Sequence, residues 1–253
     1  MQKNASEMSA ITISRQYGSG GGEVAANLAQ RLGWQLIDHE IVARVAHSLG
    51  ITEEEAEVRD ERVEGFIARA LNALQAASLV VPAPVTPPAQ AEMIYNEALR
   101  KVVETAANTG RVVIVGRTGQ VLLAGRRDVL HVRIVAPLQQ RIIYVARREG
   151  LDEAAAQSRI QVKDRDRTRY VQARFGRSVD DSLLYDLIIN TAVLDLDSAV
   201  DLISLALERK ARKLAVRTGE LGPATGLARY PGQPADLPPP ASMTGDETNK
   251  ENT

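Results

Sequence analysis

ITISRQYGSGGGEVAANLAQRL, residues Ile11–Leu32, is the stretch whose reading decides the fold. Ile11–Ser14 reads as a short buried strand. It runs into four glycines in five positions, Gly18, Gly20, Gly21 and Gly22 around Ser19. Val24, Leu28 and Leu32 then recur every fourth residue and form one face of a helix. Gly33 stops that helix, and WQLID, residues 34–38, forms a second strand ending in Asp38. A strand, a glycine loop and a helix in this order aim backbone N–H groups and the positive end of a helix at one point. That arrangement holds anions without any charged side chain.

Three readings of the loop compete. A dinucleotide fingerprint, G-x-G-x-x-G with an acid about twenty residues on, fits Gly18, Gly20 and Asp38. It fails at the third glycine, where Glu23 puts bulk and negative charge beside the pyrophosphate. A mononucleotide P-loop, G-x-x-x-x-G-K-[ST], fits the strand, glycines, helix and second strand. Gly21 then stands where the lysine belongs, and Glu23 where the hydroxyl belongs. A plain glycine-rich turn is the third reading, and it surrenders considerable chain entropy for a turn alone.

Outward from the loop, HEIVARVAHSLG (39–50) reads as a helix, and Thr52 with Glu55 forms a capping box ahead of another. The prolines of VVPAPVTPPAQ (80–90) forbid a helix interior or a central strand, so this is a loop within the domain. Helix resumes with Ile94, Ala98, Val102 and Ala106. RVVIVG (111–116) and VLHVRIV (129–135) are strands, the first apolar enough to be central. Pro137 opens a helix at its first position, a long basic helix covers 152–175, YDLIIN (185–190) is the fifth strand, and a last helix carries Val200, Ile203 and Leu207. Five strands alternating with helices predict a parallel α/β sheet covered on both faces.

Composition narrows the chemistry. The 253 residues hold 31 basic and 32 acidic side chains for a net charge of -1, so no global field recruits nucleic acid or an anionic membrane. The absence of cysteine excludes disulfides, thiolate metal sites and cysteine nucleophiles. His39, His47 and His131 have no paired metal spacing, and Trp34 reads as sheet packing. The first ten residues lack an apolar signal core, which implies a cytoplasmic protein. From about Arg217 proline and glycine dominate, and the tail to residue 253 is expected to be disordered. Residues Arg159 to Arg177 carry a dense basic excess. Arg159, Lys163 and Arg167 step by four along one helical face, while Arg165 and Arg169 form a second row. Neither row carries the aromatics of a nucleic-acid stacking platform.

The stretch SRQYGSGG resembles the S-R-x-x-G-S-G-G stretch of the cytidylate kinase-like family, a branch of the P-loop nucleoside monophosphate kinases. APLQQRI (136–142), KDRDRTRY (163–170) and YDLIINT (185–191) extend the resemblance from Ile11 to about Leu207. It implies a P-loop α/β domain over 11–216 after an N-terminal extension (1–10). A helical acceptor-binding insertion would occupy 38–108, with its Pro-rich loop at 80–90, and a lid 150–180. It further implies transfer of the ATP γ-phosphoryl group, with Mg, to a nucleoside monophosphate such as CMP or dCMP. Gly18, Ser19, Gly20, Gly21 and Gly22 would hold nucleotide phosphate, with Arg15, Arg165 and Arg169 as catalytic cations. Asp38, Arg44 and Arg117 would bind the acceptor, and Glu23 and Asp38 would hold metal, through water or directly. Asn190 falls near the family's adenine-contacting loop. The partners implied are small-molecule nucleotides. Two other functions share the scaffold: a non-catalytic nucleotide sensor, favoured by the missing lysine, and a kinase of a non-nucleotide small molecule.

Overall fold

Ala10–Arg15 form β1, and all but Arg15 are buried, because alternate side chains meet apolar layers on both faces of a parallel sheet. The computed structural model describes residues 7–38, 88–116 and 118–222, with backbone alone for 88–96 and 98. After β1 come α1 (Gly21–Leu32), β2 (Gln35–Ile37), α2 (Pro88–Thr109) and β3 (Val112–Val115). A short α3 (Gly119–Leu122) leads to β4 (Val129–Val135), α4 (Leu138–Glu149) and α5 (Glu153–Phe175). A 3-10 turn (Ser182–Leu184), β5 (Leu187–Asn190) and α6 (Leu196–Ala211) complete the order.

The five strands are parallel, in the order β2-β3-β1-β4-β5. Ile13 pairs with Val115 and Arg15 with Ile134, so β1, β3 and β4 end side by side. On one face α1 and α6 pack Val24, Leu28, Ile203 and Leu207 against Ile11 and Ile13. On the other, α2 and α3 pack Val102, Ala106 and Leu123 against Ile114 and Val129. Each large aliphatic side chain so buried contributes roughly 1.5–3 kcal/mol. The expected parallel α/β sheet with helices on both faces is the fold.

Several local readings shift. β2, β3 and β5 are one or two residues shorter than their apolar runs at one or both ends, since Gly116 takes φ 71° and Tyr185 only caps the 3-10 turn. Pro137 is the N-cap of α4 rather than its first helical residue, its ψ of 144° being extended. The final residues of the Pro-rich 80–90 run are helical, because α2 starts at Pro88, where a missing N–H costs nothing. Met8 and Ala10, placed in the N-terminal extension, are buried in the core, and the Ser9 amide donates to the Asp128 carbonyl at 2.8 Å. Trp34 packs half-buried on the α1 side of the sheet, as expected. The helix read over 39–50, with His39 and His47, and the Thr52–Glu55 capping box lie outside the described residues. So does most of the insertion read over 38–108. Residues up to Leu214 form one compact unit and 215–253 a second, described only to Gly222 and containing a 3-10 turn at Thr218–Glu220. Among the described residues no helix is long and apolar enough to cross a membrane.

His131 sits in β4 at 6% exposure, with Nδ1 2.7 Å from the Thr12 hydroxyl. Burial pulls its pKa below the ordinary imidazole value, with the Asp186 charge opposing and Lys210 adding to the depression. The folded state therefore resists protonation while the unfolded chain takes a proton near pH 6.5. The resulting stability is complete above that pH and is lost as pH falls below it, by at most about 1.4 kcal/mol per unit. Thermal melts between pH 7.5 and 5.5 are expected to fall more steeply for the wild type than for His131→Gln. Parallel curves would show that His131 does not govern this window.

Candidate active site

The glycine loop bends where its sequence permits. Gly18 and Gly20 take φ of 79° and 76°, a left-handed geometry open to glycine, and Gly20 caps α1. The first helical bond runs from Val24 N to Gly20 O at 3.0 Å. The amides of Gly21, Gly22 and Glu23 are thus left without helical acceptors at the positive end of the helix dipole. A Cβ on Gly22 would meet nothing within 4 Å, whereas one on Gly18 or Gly20 would strike Val145 or Leu196 at 2.7 Å. Packing alone therefore accounts for part of the glycine density. Ser19 is buried, with its hydroxyl 2.9 Å from the Gln16 carbonyl and 3.2 Å from that of Ile134. Its amide donates to the same Gln16 carbonyl at 3.4 Å, and its carbonyl accepts from the Thr191 hydroxyl at 2.9 Å.

Arg15, at the end of β1, threads between two glycines. Its Cβ lies 2.6 Å from where a Gly21 Cβ would stand, and its Nη1 lies 2.0 Å from the corresponding point on Gly116. A side chain at either glycine would collide with it. The space leading from position 21 is therefore filled by the arginine that leaves the preceding strand.

Two helices hold the loop from outside. The Tyr17 amide donates to Asp164 Oδ1 at 2.8 Å, and the Tyr17 carbonyl accepts from buried Arg141 at 3.2 Å. Arg141 and Asp164 are themselves paired at 2.5 Å, so one ion pair takes both backbone groups of a loop residue. The Tyr17 hydroxyl donates to Glu149 at 2.6 Å, and Glu149 also pairs with Arg159. Burial foremost, then the Glu149 carboxylate, raises the Tyr17 pKa, so the phenol stays protonated. Arg167 lies 5.4 Å from the Tyr17 ring centre and donates to the Arg15 carbonyl at 3.3 Å. Burial lowers its pKa, with Asp164 and Tyr17 opposing, and a guanidinium remains charged.

Two cavities open on the loop. One of about 230 Å³ lies over Gly18, Gly20, Gly21, Gly22 and Glu23, walled by Tyr144, Arg148 and Glu149 of α4. The other, about 810 Å³, is lined by Ser14, Asp38, Gln120, Lys163, Asp166 and a set of aliphatic side chains. Arg15, Tyr17, Gly22 and Arg167 line both.

The structure brings together Arg15, the loop glycines and Asp38 of the residues expected from sequence. Arg165 and Arg169 are exposed and line neither cavity; Lys163 and Arg167, on the other helical row, do. Glu23 pairs with Arg148 and borders the smaller cavity, whereas Asp38 borders the larger, so the two are not gathered as one metal site. Among the described residues no cluster of three metal-ligating side chains exists. Asn190 is exposed and accepts from the Ala192 amide at 2.9 Å, a strand-exit turn. Arg44 and Arg117 lie outside the described residues. Sequence reasoning missed Tyr17, Arg141, Asp164 and Gln120, whose places depend on contacts far apart in the chain.

The profile described as the cytidylate kinase-like family matches residues 10–193. The cytidylate kinase of Ignicoccus hospitalis is 26% identical over 202 residues, covering 78% of this chain and 97% of that protein. A uronate isomerase from Corynebacterium glutamicum is 32% identical over 114 residues; the match covers 45% of this chain but spans only 21% of that protein's length. An uncharacterized protein from Eubacterium ventriosum shares the fold with a TM-score of 0.56 at 23% identity, covering 79% of this chain and 98% of the other. With the profile spanning most of the described core, the chain belongs to the cytidylate kinase-like family.

Proposed function

We propose that the protein transfers the γ-phosphoryl group of ATP to a nucleoside monophosphate, with CMP or dCMP as the acceptor. One observation carries the reading: a small cavity over helix-start amides and a larger, partly apolar cavity meet at two guanidinium groups, Arg15 and Arg167. Family membership and a relative named as a cytidylate kinase support it. A cytoplasmic setting belongs to the same proposal.

In this reading the amides of Gly20, Gly21 and Gly22 hold the donor phosphates, and the larger cavity holds the acceptor. The bond from the γ-phosphorus to the β,γ-bridging oxygen breaks while an oxygen of the acceptor monophosphate bonds to that phosphorus, and ADP leaves. Such transfer needs positioning and charge neutralisation rather than a nucleophilic side chain. Arg15 and Arg167 stand where the charge moves, with Lys163 beside them. Arg44 and Arg117 retain the acceptor-binding role that the family resemblance assigns them. Magnesium, when bound, would neutralise phosphate charge; Asp38 and Asp166 are the carboxylates that border the larger cavity, whereas Glu23 borders the smaller one and is engaged by Arg148. That engagement, together with the missing lysine, is also what favours the nucleotide-sensor reading. A coupled assay with CMP, UMP, dCMP and AMP separates the two, because a sensor binds without turnover.

Arg15→Ala is expected to lower kcat by about 10²–10³-fold, the usual loss when one donor to the developing charge is removed. Unchanged turnover would remove Arg15 from the site. Gly21→Lys is expected to lower activity rather than raise it, because the new side chain meets the Arg15 stem at 2.6 Å. Arg167→Ala should reduce kcat more than Arg165→Ala or Arg169→Ala; the reverse order would return the catalytic role to the exposed row.

A further inference from the structure

Ser14 of β1 and Arg133 of β4 are register partners across the parallel pair. Both are buried, at 8% and 6% exposure, and Ser14 lines the larger cavity while Arg133 stands one hydrogen bond behind it. Arg133 Nη1 donates to Ser14 Oγ at 3.0 Å and to the Tyr185 hydroxyl at 3.4 Å, and its Nη2 donates to Asp180 at 2.6 Å. The Asp180 side chain is 72% exposed, so water screens much of its hold on the guanidinium. A buried guanidinium is costly to keep where an apolar side chain could fill the sheet. Its charge is felt at the cavity wall: burial foremost lowers the Arg167 pKa, and the Arg133 charge lowers it further.

The Ser14 hydroxyl has one proton, and its oxygen already accepts from Arg133, so that proton points away from the guanidinium. Tyr185 cannot supply the next link. Its hydroxyl lies 2.8 Å from the Val179 carbonyl, which can only accept, and the single Tyr185 proton goes there. At the 3.2 Å contact between the two hydroxyls, Ser14 is therefore the donor. Its proton either rests on the Tyr185 oxygen or turns into the cavity. The charged donor on its oxygen strengthens it in both directions. Arg15, Lys163 and Arg167 line the same cavity. The ligand group that suits a polarised hydroxyl among three cations is an oxyanion. In a nucleoside monophosphate that group is the phosphate.

We propose that Ser14 donates a hydrogen bond to the phosphate of the acceptor, and that Arg133 is the positioning residue that aims and polarises its hydroxyl. This rests on the nucleoside monophosphate kinase reading above. Calorimetric titration of the full chain with CMP, ribose 5-phosphate and ADP tests it. Ser14→Ala is expected to raise Kd for CMP and for ribose 5-phosphate about tenfold or more, the usual weight of one hydrogen bond to a charged group. The two factors should match, because both ligands carry the phosphate and only one carries the base. Kd for ADP, held at the glycine loop, should keep its wild-type value. Arg133→Met should weaken CMP on its own but add little to Ser14→Ala, the non-additivity of a residue that acts through another. Ser14→Ala removes a single oxygen, so it carries the test even where Arg133→Met is recovered unfolded. Unchanged CMP affinity in Ser14→Ala, weakening of CMP without ribose 5-phosphate, or equal weakening of ADP overturns the proposal and leaves the kinase reading intact. Additive effects of the two substitutions overturn the role of Arg133. A wild type that binds ADP yet neither CMP nor ribose 5-phosphate sinks both readings together.

Discussion

Arg15 leaves the central strand between two residues without side chains. Its stem lies against Gly21 and its guanidinium over Gly116, so the loop and the first strand meet closely and the guanidinium reaches the end of the third. That constraint explains the sequence oddity at the start of α1. A side chain at position 21 would start 2.6 Å from the Arg15 Cβ, so this backbone takes glycine there and the nearby cation stands on the strand. An arginine at the end of β1 borders both cavities.

The rest of the site serves to keep that loop in place. Ser19 and Gln16 tie it to β4, where the Ala136 amide donates to the Gln16 side chain at 3.0 Å and Thr191 donates to the Ser19 carbonyl at 2.9 Å. The Arg141–Asp164 pair grips Tyr17 from α4 and α5. Arg141 is almost fully buried, so its pairing with Asp164 is obligatory: a buried guanidinium without a carboxylate is far costlier than the pair. The same α5 that carries Asp164 carries Lys163 and Arg167. The cations that line the cavities are therefore positioned by the contact that fixes the loop.

This division explains what could be read from the chain. Strand order aside, the fold was legible because each element declares itself locally: the four-residue apolar step of α1, the continuous apolar run of β3, the stop at Gly33 after α1. Arg15 and the glycines were legible because they lie within eight residues of one another. The choice between the two arginine rows of α5 was not, since both step by four and only the packing of Val171 and Ile160 decides which row turns inward.

Charge balance gives the last constraint. Among the described residues lining the two cavities, the cations are Arg15, Arg148, Lys163 and Arg167, and the anions are Glu23, Asp38, Glu149 and Asp166. Four face four, so the net charge of these lining side chains is zero. Under the proposed function, attraction for a triphosphate would draw on sources outside that balance: the amides at the start of α1 that have no helical acceptor, the helix dipole behind them, and the cation a nucleotide brings as its own counter-ion. Glu23 pairs with Arg148 and Glu149 with Arg159 beside the loop. Under the proposed function, a nucleotide phosphate would replace Glu23 as the partner of Arg148, which borders the smaller cavity, so the guanidinium would exchange one anion for another rather than be left unpaired.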